Sequence, residues 1–161
     1  MNRLTLSLIR HAHADPAGIL QEDKIRPLSI QGINHIAPLG ESMLKFNRLP
    51  EIAIVSPAKR AQETFVNLCE ILTNKIDSET IPCIYDGDLN LMIEQIKIAH
   101  KDYHHVAVVG HNPLLSKLAS VLAQKNIVLN PSGWVCMEAN LFDIEGTVQA
   151  DIIAAHEVII Y

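Results

Sequence analysis

Three short apolar runs constrain what this chain can become. Leu6-Ser7-Leu8-Ile9, Ile52-Ala53-Ile54-Val55 and Val106-Ala107-Val108-Val109 contain no charged residue, and each stops abruptly on a polar motif. The motifs are Arg10-His11-Ala12, Ser56-Pro57-Ala58-Lys59-Arg60-Ala61-Gln62-Glu63-Thr64 and Gly110-His111-Asn112-Pro113. Runs that are apolar on successive residues read as strands buried on both faces, the kind found at the centre of parallel sheets covered by helices.

The rest of the chain fits that frame. The first strand is predicted from about Thr5 to Arg10, followed by a polar, irregular stretch from His11 to Pro27 with Asp15-Pro16 and Ala17-Gly18 as turn signals. Ser29 can cap a helix to about Phe46, with Ile33, Ile36, Leu39, Met43 and Leu44 near helical spacing and Pro38 and Gly40 expected to kink or interrupt it. Ile52–Val55 is the second strand, and Ser56-Pro57 reads as a cap and first-turn proline opening a helix to about Leu72. A third strand, weakened by Pro82, is expected over Thr80–Ile84, then a helix over Leu89–His100. Val106–Val109 is the fourth strand, and Asn112-Pro113 repeats the cap-and-proline pattern before a helix to about Gln124. Trp134 to Ile144 and Val148 to Ala155 alternate around Glu145-Gly146 as a C-terminal hairpin. The predicted fold is α/β: a single-domain, open, mostly parallel sheet with helices on both faces.

Composition narrows the function. A chain of 161 residues with one alternating pattern suits a single domain, here 1–161. A net charge of -5, with lysines and arginines outside blocks, argues against nucleic acid and anionic membrane as partners. Any cationic pocket is therefore local. Cys69, Cys83 and Cys136 are scattered, odd in number and free of Cys-x-x-Cys spacing, which reads as free thiols in a reducing compartment. No apolar run approaches the ~20 residues of a membrane span. The apolar start meets Arg10-His11 where a signal peptide would carry small residues, so it reads as a first strand, and a cytoplasmic location is expected.

The motifs share a position, since ligands of open parallel sheets sit beyond the carboxyl ends of the strands. Two arginines, two histidines and helix starts gathered there form a natural pocket for a phosphoryl group. Neutral His11 can attack phosphorus and split hydrolysis into two displacements, provided its other nitrogen is held by a hydrogen bond. His111 can carry a proton and stabilise the transferring oxygens, while Arg10 and Arg60 clamp them.

In this order, Arg-His-Ala after the first strand, Ser-Pro-x-x-Arg-Ala-x-x-Thr after the second and Gly-His-Asn-Pro after the fourth resemble the histidine phosphatase superfamily. The small size and Arg26-Pro27-Leu28-Ser29-Ile30-Gln31-Gly32 resemble its SixA-type phosphohistidine phosphatases, and the likeness covers nearly the whole chain. The resemblance implies His11 as the phosphorylated nucleophile, Arg10 and Arg60 as phosphate ligands, His111 as the second pocket histidine and Arg26 as a further contact to phosphate or partner. It implies no cofactor and no metal. The partner it implies is a phosphohistidine-bearing protein: a phosphotransfer domain of a two-component relay, or a phosphocarrier.

This chain departs from the pattern in two places. Ala12 stands where many relatives carry glycine, so its φ should stay negative. Many relatives place a glutamic acid after the third strand, where this chain reads Ile84-Tyr85-Asp86-Gly87-Asp88. Asp86 is the candidate acid there, and Asp88 a candidate helix cap. Phosphohistidine expels an imidazole of pKa near ~6.5, which needs an acid less than an alkoxide does. A weak or missing acid therefore favours a P–N substrate, and the lack of a long lid insertion favours a protein one.

Two rivals stand beside this reading. His11-Ala12-His13-Ala14-Asp15 has the look of a metal-binding His-x-His run, as in a metal-dependent phosphoesterase. A phosphoprotein-binding module without turnover is the other. For single residues the blander expectations are these: Ser56 a cap, since no Gly-x-Ser-x-Gly surrounds it; His13 a loop residue; His104 and His105 exposed; His35, His100 and His156 structural; Trp134 core or pocket wall.

Overall fold

A computed structural model describes residues 3–18, 22–139 and 150–161. In chain order the elements are β1 (Leu4–Arg10), a 3-10 turn (Asp23–Ile25), α1 (Ile30–Lys45), β2 (Ile52–Val55), α2 (Lys59–Leu72), β3 (Asp77–Thr80), α3 (Cys83–Asp86), α4 (Leu89–His100), β4 (His105–Gly110), α5 (Leu114–Ala123), β5 (Ile127–Ala139) and β6 (Asp151–Ile160).

The strands form one sheet in the order β3-β2-β4-β1-β5-β6. The first four named are mutually parallel, and β5 and β6 complete the sheet antiparallel. Alternation along the buried strands feeds two cores. Leu4, Leu6 and Leu8 of β1, with Val106 and Val108 of β4, pack beneath Met92 and Ile96 of α4 and Leu115 and Leu118 of α5. Ile9, Val55, Val109 and Trp134 point the other way, against Ile36, Leu39 and Met43 of α1 and Phe65 and Leu68 of α2. The predicted α/β sheet with helices on both faces is what the chain forms. No helix among the described residues is long and apolar enough to cross a membrane.

Several element boundaries differ from expectation, each for a physical reason. Helix α1 runs through Pro38 and Gly40 without interruption. An interior proline costs ~3 kcal/mol. Burial of Ile36, Leu39 and Met43 on the same helix returns about 1.5–3 kcal/mol for each, so packing wins. The third strand is Asp77–Thr80, not Thr80–Ile84, and its side chains are all exposed. It pairs residue for residue with β2, from Ile52 beside Asp77 to Val55 beside Thr80, so backbone hydrogen bonds rather than apolar side chains hold this edge. Ile84 instead falls in the short helix α3, with Pro82 at its start. Helices α2 and α5 begin later than the Ser-Pro and Asn-Pro pairs suggest, with Ala58 and Pro113 at their N-caps. The C-terminal strands start at Ile127 and end at Ile160, and the Glu145-Gly146 turn lies outside the described residues.

Two caps match expectation. Ser29 accepts from the Gly32 N–H at the start of α1, and Asp88 accepts from Leu91 N–H at the start of α4. The three cysteines are unpaired; Cys136 is buried and the others half-buried.

Candidate functional site

Register brings the motifs together. Arg10 lies beside Gly110 in the β1–β4 pairing, and Val55 lies beside Val109 in the β2–β4 pairing. The ladder continues past the strand ends, since His11 N–H donates to Gly110 O at 3.0 Å and Ser56 N–H to Val109 O at 3.0 Å. Residues 10–11, 56 and 110–111 therefore emerge side by side at one edge. A cavity of about 310 Å³ opens there, lined by Arg10, His11, Arg26, Arg60 and His111, with His13, Ala14, Asn112 and Pro131 at its margin.

The imidazole of His11 is held at both nitrogens. Nδ1 pairs with the Ala12 carbonyl at 2.7 Å, and Arg60 Nε–H donates to Nε2 at 3.2 Å. Since a carbonyl can only accept and a guanidinium can only donate, the proton sits on Nδ1 and the lone pair on Nε2. Burial pushes the pKa of His11 down to about 4, with the Arg60 and Arg10 charges acting the same way against the Ala12 carbonyl. The ring is thus neutral at physiological pH, with its lone pair on Nε2.

His111 stands 5.0 Å from His11, centroid to centroid. Its Nε2 shares a 2.7 Å hydrogen bond with Ser56 Oγ, and its buried Nδ1 has no partner. Burial, then the neighbouring His11 and Arg60, lower its pKa to about 3. Ser56 Oγ thus both accepts from Ala58 N–H, just ahead of α2, and anchors His111. Arg10 spends Nη1 on the Leu129 carbonyl, while its buried Nε is unpaired. Asn112 holds the same carbonyl through Nδ2, and its Oδ1 accepts from Ser116. Two orphaned donor-capable nitrogens at one cationic cavity are what an anion would satisfy.

Arg60 is the most constrained cation of the group. Its side chain is 7 % exposed; Nη1 donates to the Asp23 carbonyl and Nη2 to the Asp23 carboxylate at 3.0 Å. Arg26 grips the other carboxylate oxygen of Asp23 at 2.8 Å and also donates to Asp15 O. Tyr85 closes the cluster, its hydroxyl donating to Asp23 and its ring standing nearly perpendicular to that of His111 at 5.8 Å between centroids. Partial burial works to raise the Asp23 pKa, but hydrogen bonds from Arg26 and Arg60 hold it below its ordinary value.

The four strand-end residues His11, His111, Arg10 and Arg60 meet as expected, and Arg26 joins them. Asp86 does not line the cavity; it is exposed at the end of α3, and its neighbour Tyr85 is the residue that contacts His111 and Asp23. The His-x-His run does not assemble either. His13 pairs with Ser29 Oγ at 2.7 Å, and among the described residues no three His, Cys, Asp or Glu side chains are grouped to hold a metal. Ala12 keeps a negative φ and donates its N–H to Thr64 Oγ1, which in turn donates to Arg60 O. The threonine that ends the second motif is therefore a buried strut between the loop after β1 and α2.

Sequence reasoning missed Asp23 and Tyr85, since neither carries a periodic or motif signal. His105 corrects an expectation: it is buried, not exposed, because strand alternation turns it inward to Ser7 Oγ at 2.8 Å while His104 stays outside.

No protein-family model and no curated protein matches the chain. Solved structures do. A protein histidine phosphatase SixA complexed with tungstate superimposes with a TM-score of 0.82 at 18% identity, covering 96% of this chain and 97% of that one. A SixA protein of Agrobacterium tumefaciens gives 0.82 at 19%, covering 95% and 97%. A mycobacterial glucosyl-3-phosphoglycerate phosphatase gives 0.61 at 15%, covering 92% and 96%. With its four parallel strands, its antiparallel end and these superpositions, the chain has the histidine phosphatase fold.

Proposed function

We propose that the protein is a phosphatase that removes phosphate from phosphohistidine in a cytoplasmic signalling or phosphocarrier protein, by way of a phospho-His11 intermediate. One observation carries this: a neutral imidazole, its proton pinned on Nδ1, presents Nε2 among Arg10, Arg60 and His111. Tungstate, the ligand in one similar structure, is a tetrahedral oxyanion of phosphate's shape.

In the first step the Nε2 lone pair bonds to phosphorus and the bond to the substrate imidazole breaks. The departing nitrogen recovers a proton from solvent and leaves as neutral imidazole. The Arg10 and Arg60 guanidinium groups neutralise charge on the three equatorial oxygens, and Arg60 Nε–H turns from the nitrogen to an oxygen as the new bond forms. The His11 ring becomes cationic, and the Ala12 carbonyl stabilises the Nδ1–H it retains. In the second step water attacks phosphorus, its proton passes to phosphate oxygen, and the cationic imidazole is a good leaving group. An alkoxide would need a positioned acid, and Asp86 is not in the cavity. The reading therefore favours P–N over P–O substrates.

The test is to incubate the protein with a histidine-phosphorylated phosphocarrier bearing labelled phosphate and quench the reaction. Acid-labile label on His11, with turnover lost in folded His11→Ala, is the expected result. Full activity in His11→Ala refutes the nucleophile; equal binding by both proteins with no phosphate released shows a binding module instead.

A further inference from the structure

A second groove, of about 360 Å³, adjoins the phosphoryl cavity and shares two of its walls, His13 and Pro131. Helix α1 lines it with Gln31 and His35, and β5 with Asn130 and Ser132. Its chemistry is unlike that of the cavity. Among the described residues no lysine or arginine lines it, and its polar groups are amides, imidazoles and a hydroxyl, with Glu157 the one acidic residue among them. It suits neutral hydrogen-bonding groups rather than a second phosphate.

The floor of the groove is built at a cost. The pairing of β5 with β6 shifts register between Leu129 and Trp134, and Ser132 (φ 61°) and Glu157 (φ 49°) both occupy the left-handed region across that gap. Such backbone persists where the surroundings enforce it, commonly at functional sites. Gly133 is part of the enforcement, since a Cβ there would lie 2.6 Å from Asn130 O and 2.8 Å from Glu157 O. The bulge also touches the nucleophile loop, through Ser132 N–H donating to His11 O at 3.3 Å. Ser132 is 1% exposed, yet its Oγ has no partner. A buried hydroxyl without a partner, in a groove wall beside the catalytic cavity, is positioned for a ligand.

We propose that this groove seats the polypeptide flank of the phosphohistidine: the residues on one side of it in the substrate protein. The proposal rests on the phosphohistidine reading above and adds how a protein substrate is told from a small one. The phosphorylated side chain enters the cationic cavity, and the adjoining chain crosses His13 and Pro131 into the groove. There its peptide groups and neutral polar side chains meet Gln31, His35, Asn130 and Ser132.

Phosphoramidate, free phosphohistidine, and peptides extending phosphohistidine with neutral polar residues on either or both sides distinguish the possibilities. The wild type should gain on the order of tenfold in kcat/KM from extension on one side, as one or two net hydrogen bonds imply. Gln31→Ala with His35→Ala should remove that gain through KM and leave phosphoramidate turnover within about twofold, which also reports an intact fold. Both side chains are exposed on α1 and outside the catalytic cluster. No gain from extension on either side overturns the proposal, as does an equal loss on phosphoramidate and peptide. If the wild type cleaves phosphoramidate but no phosphohistidine compound, the parent reading fails and takes the groove assignment with it.

Discussion

Arg60 Nε lies 3.2 Å from His11 Nε2, across 49 residues of sequence. That contact and the Ala12 carbonyl together dictate a single tautomer. Nitrogen NMR of the unliganded protein at pH 7 should show His11 neutral, with its proton on Nδ1; a proton on Nε2 would remove the nucleophile from its assigned atom. Arg60→Lys should lower kcat by about 10²–10³-fold, since an ammonium cannot keep the fork that serves imidazole, phosphate and Asp23 at once. A loss under tenfold would count against the clamp.

Asp23 is the positioning residue for that fork, binding Arg60 and Arg26 with its two carboxylate oxygens and Arg60 again with its carbonyl. Asp23→Ala should remove the carboxylate from both arginines, leaving Arg60 the residue-23 carbonyl and Arg26 the Asp15 carbonyl, and lower kcat/KM by roughly 10²-fold, the scale of a small misplacement at a reacting centre. Asp23→Asn keeps an acceptor for Arg60 and Tyr85 and should recover part of the loss. Equal loss in both variants would mean that the charge, rather than the geometry, matters.

Acid should destabilise the protein in a window above that of the carboxylates. Burial leads the shifts that hold His11 and His105 to about 4 and His111 to about 3 in the folded state. The ordinary value is ~6.5, so the unfolded chain takes up protons first as pH falls. Stability present above about pH 6.5 is then lost progressively toward pH 4. Calorimetry should show Tm falling between pH 6.5 and 4.5, with a shallower slope in His111→Asn. A flat Tm over that interval would show that these rings charge freely in the folded protein.

Some of this architecture was legible from local pattern and some was not. Strands β1, β2 and β4 are readable because their burial on both faces is written as unbroken apolar runs, and the site follows because chemistry sits at their ends. β3 is opaque for the opposite reason: Asp77–Thr80 has no apolar signal and owes its pairing to the backbone of β2. Ser56 reads as the helix cap, but that position falls to Ala58; the Ser56 oxygen accepts from Ala58 N–H just ahead of α2 and also serves His111, a partner 55 residues away that no local rule reveals. Asp23 and Tyr85 reach the site through space from a short turn and a short helix, so neither periodicity nor spacing could nominate them.

Ser7 offers a stability test separate from catalysis. It is the polar residue in the middle of β1, fully buried on the face that carries Trp134. Trp134 Nε1–H donates to Ser7 Oγ at 3.0 Å, so the hydroxyl proton is free to go to His105 Nε2 at 2.8 Å, and His105 in turn holds the Leu49 backbone. One hydroxyl thus satisfies a buried indole and a buried imidazole. Ser7→Ala should leave the Trp134 indole N–H without its partner and His105 Nε2 with only the 4.0 Å contact to Cys136 Sγ, at about 1–3 kcal/mol for each lost bond. The urea midpoint should fall accordingly while kcat stays unchanged, since none of these side chains lines the cavity at the strand ends. Adding His105→Leu to Ser7→Ala should cost less than the sum of the single changes, because the second substitution removes a group the first had orphaned. Strict additivity would mean that Ser7 and His105 are not coupled, and would break the chain of hydrogen bonds at that link.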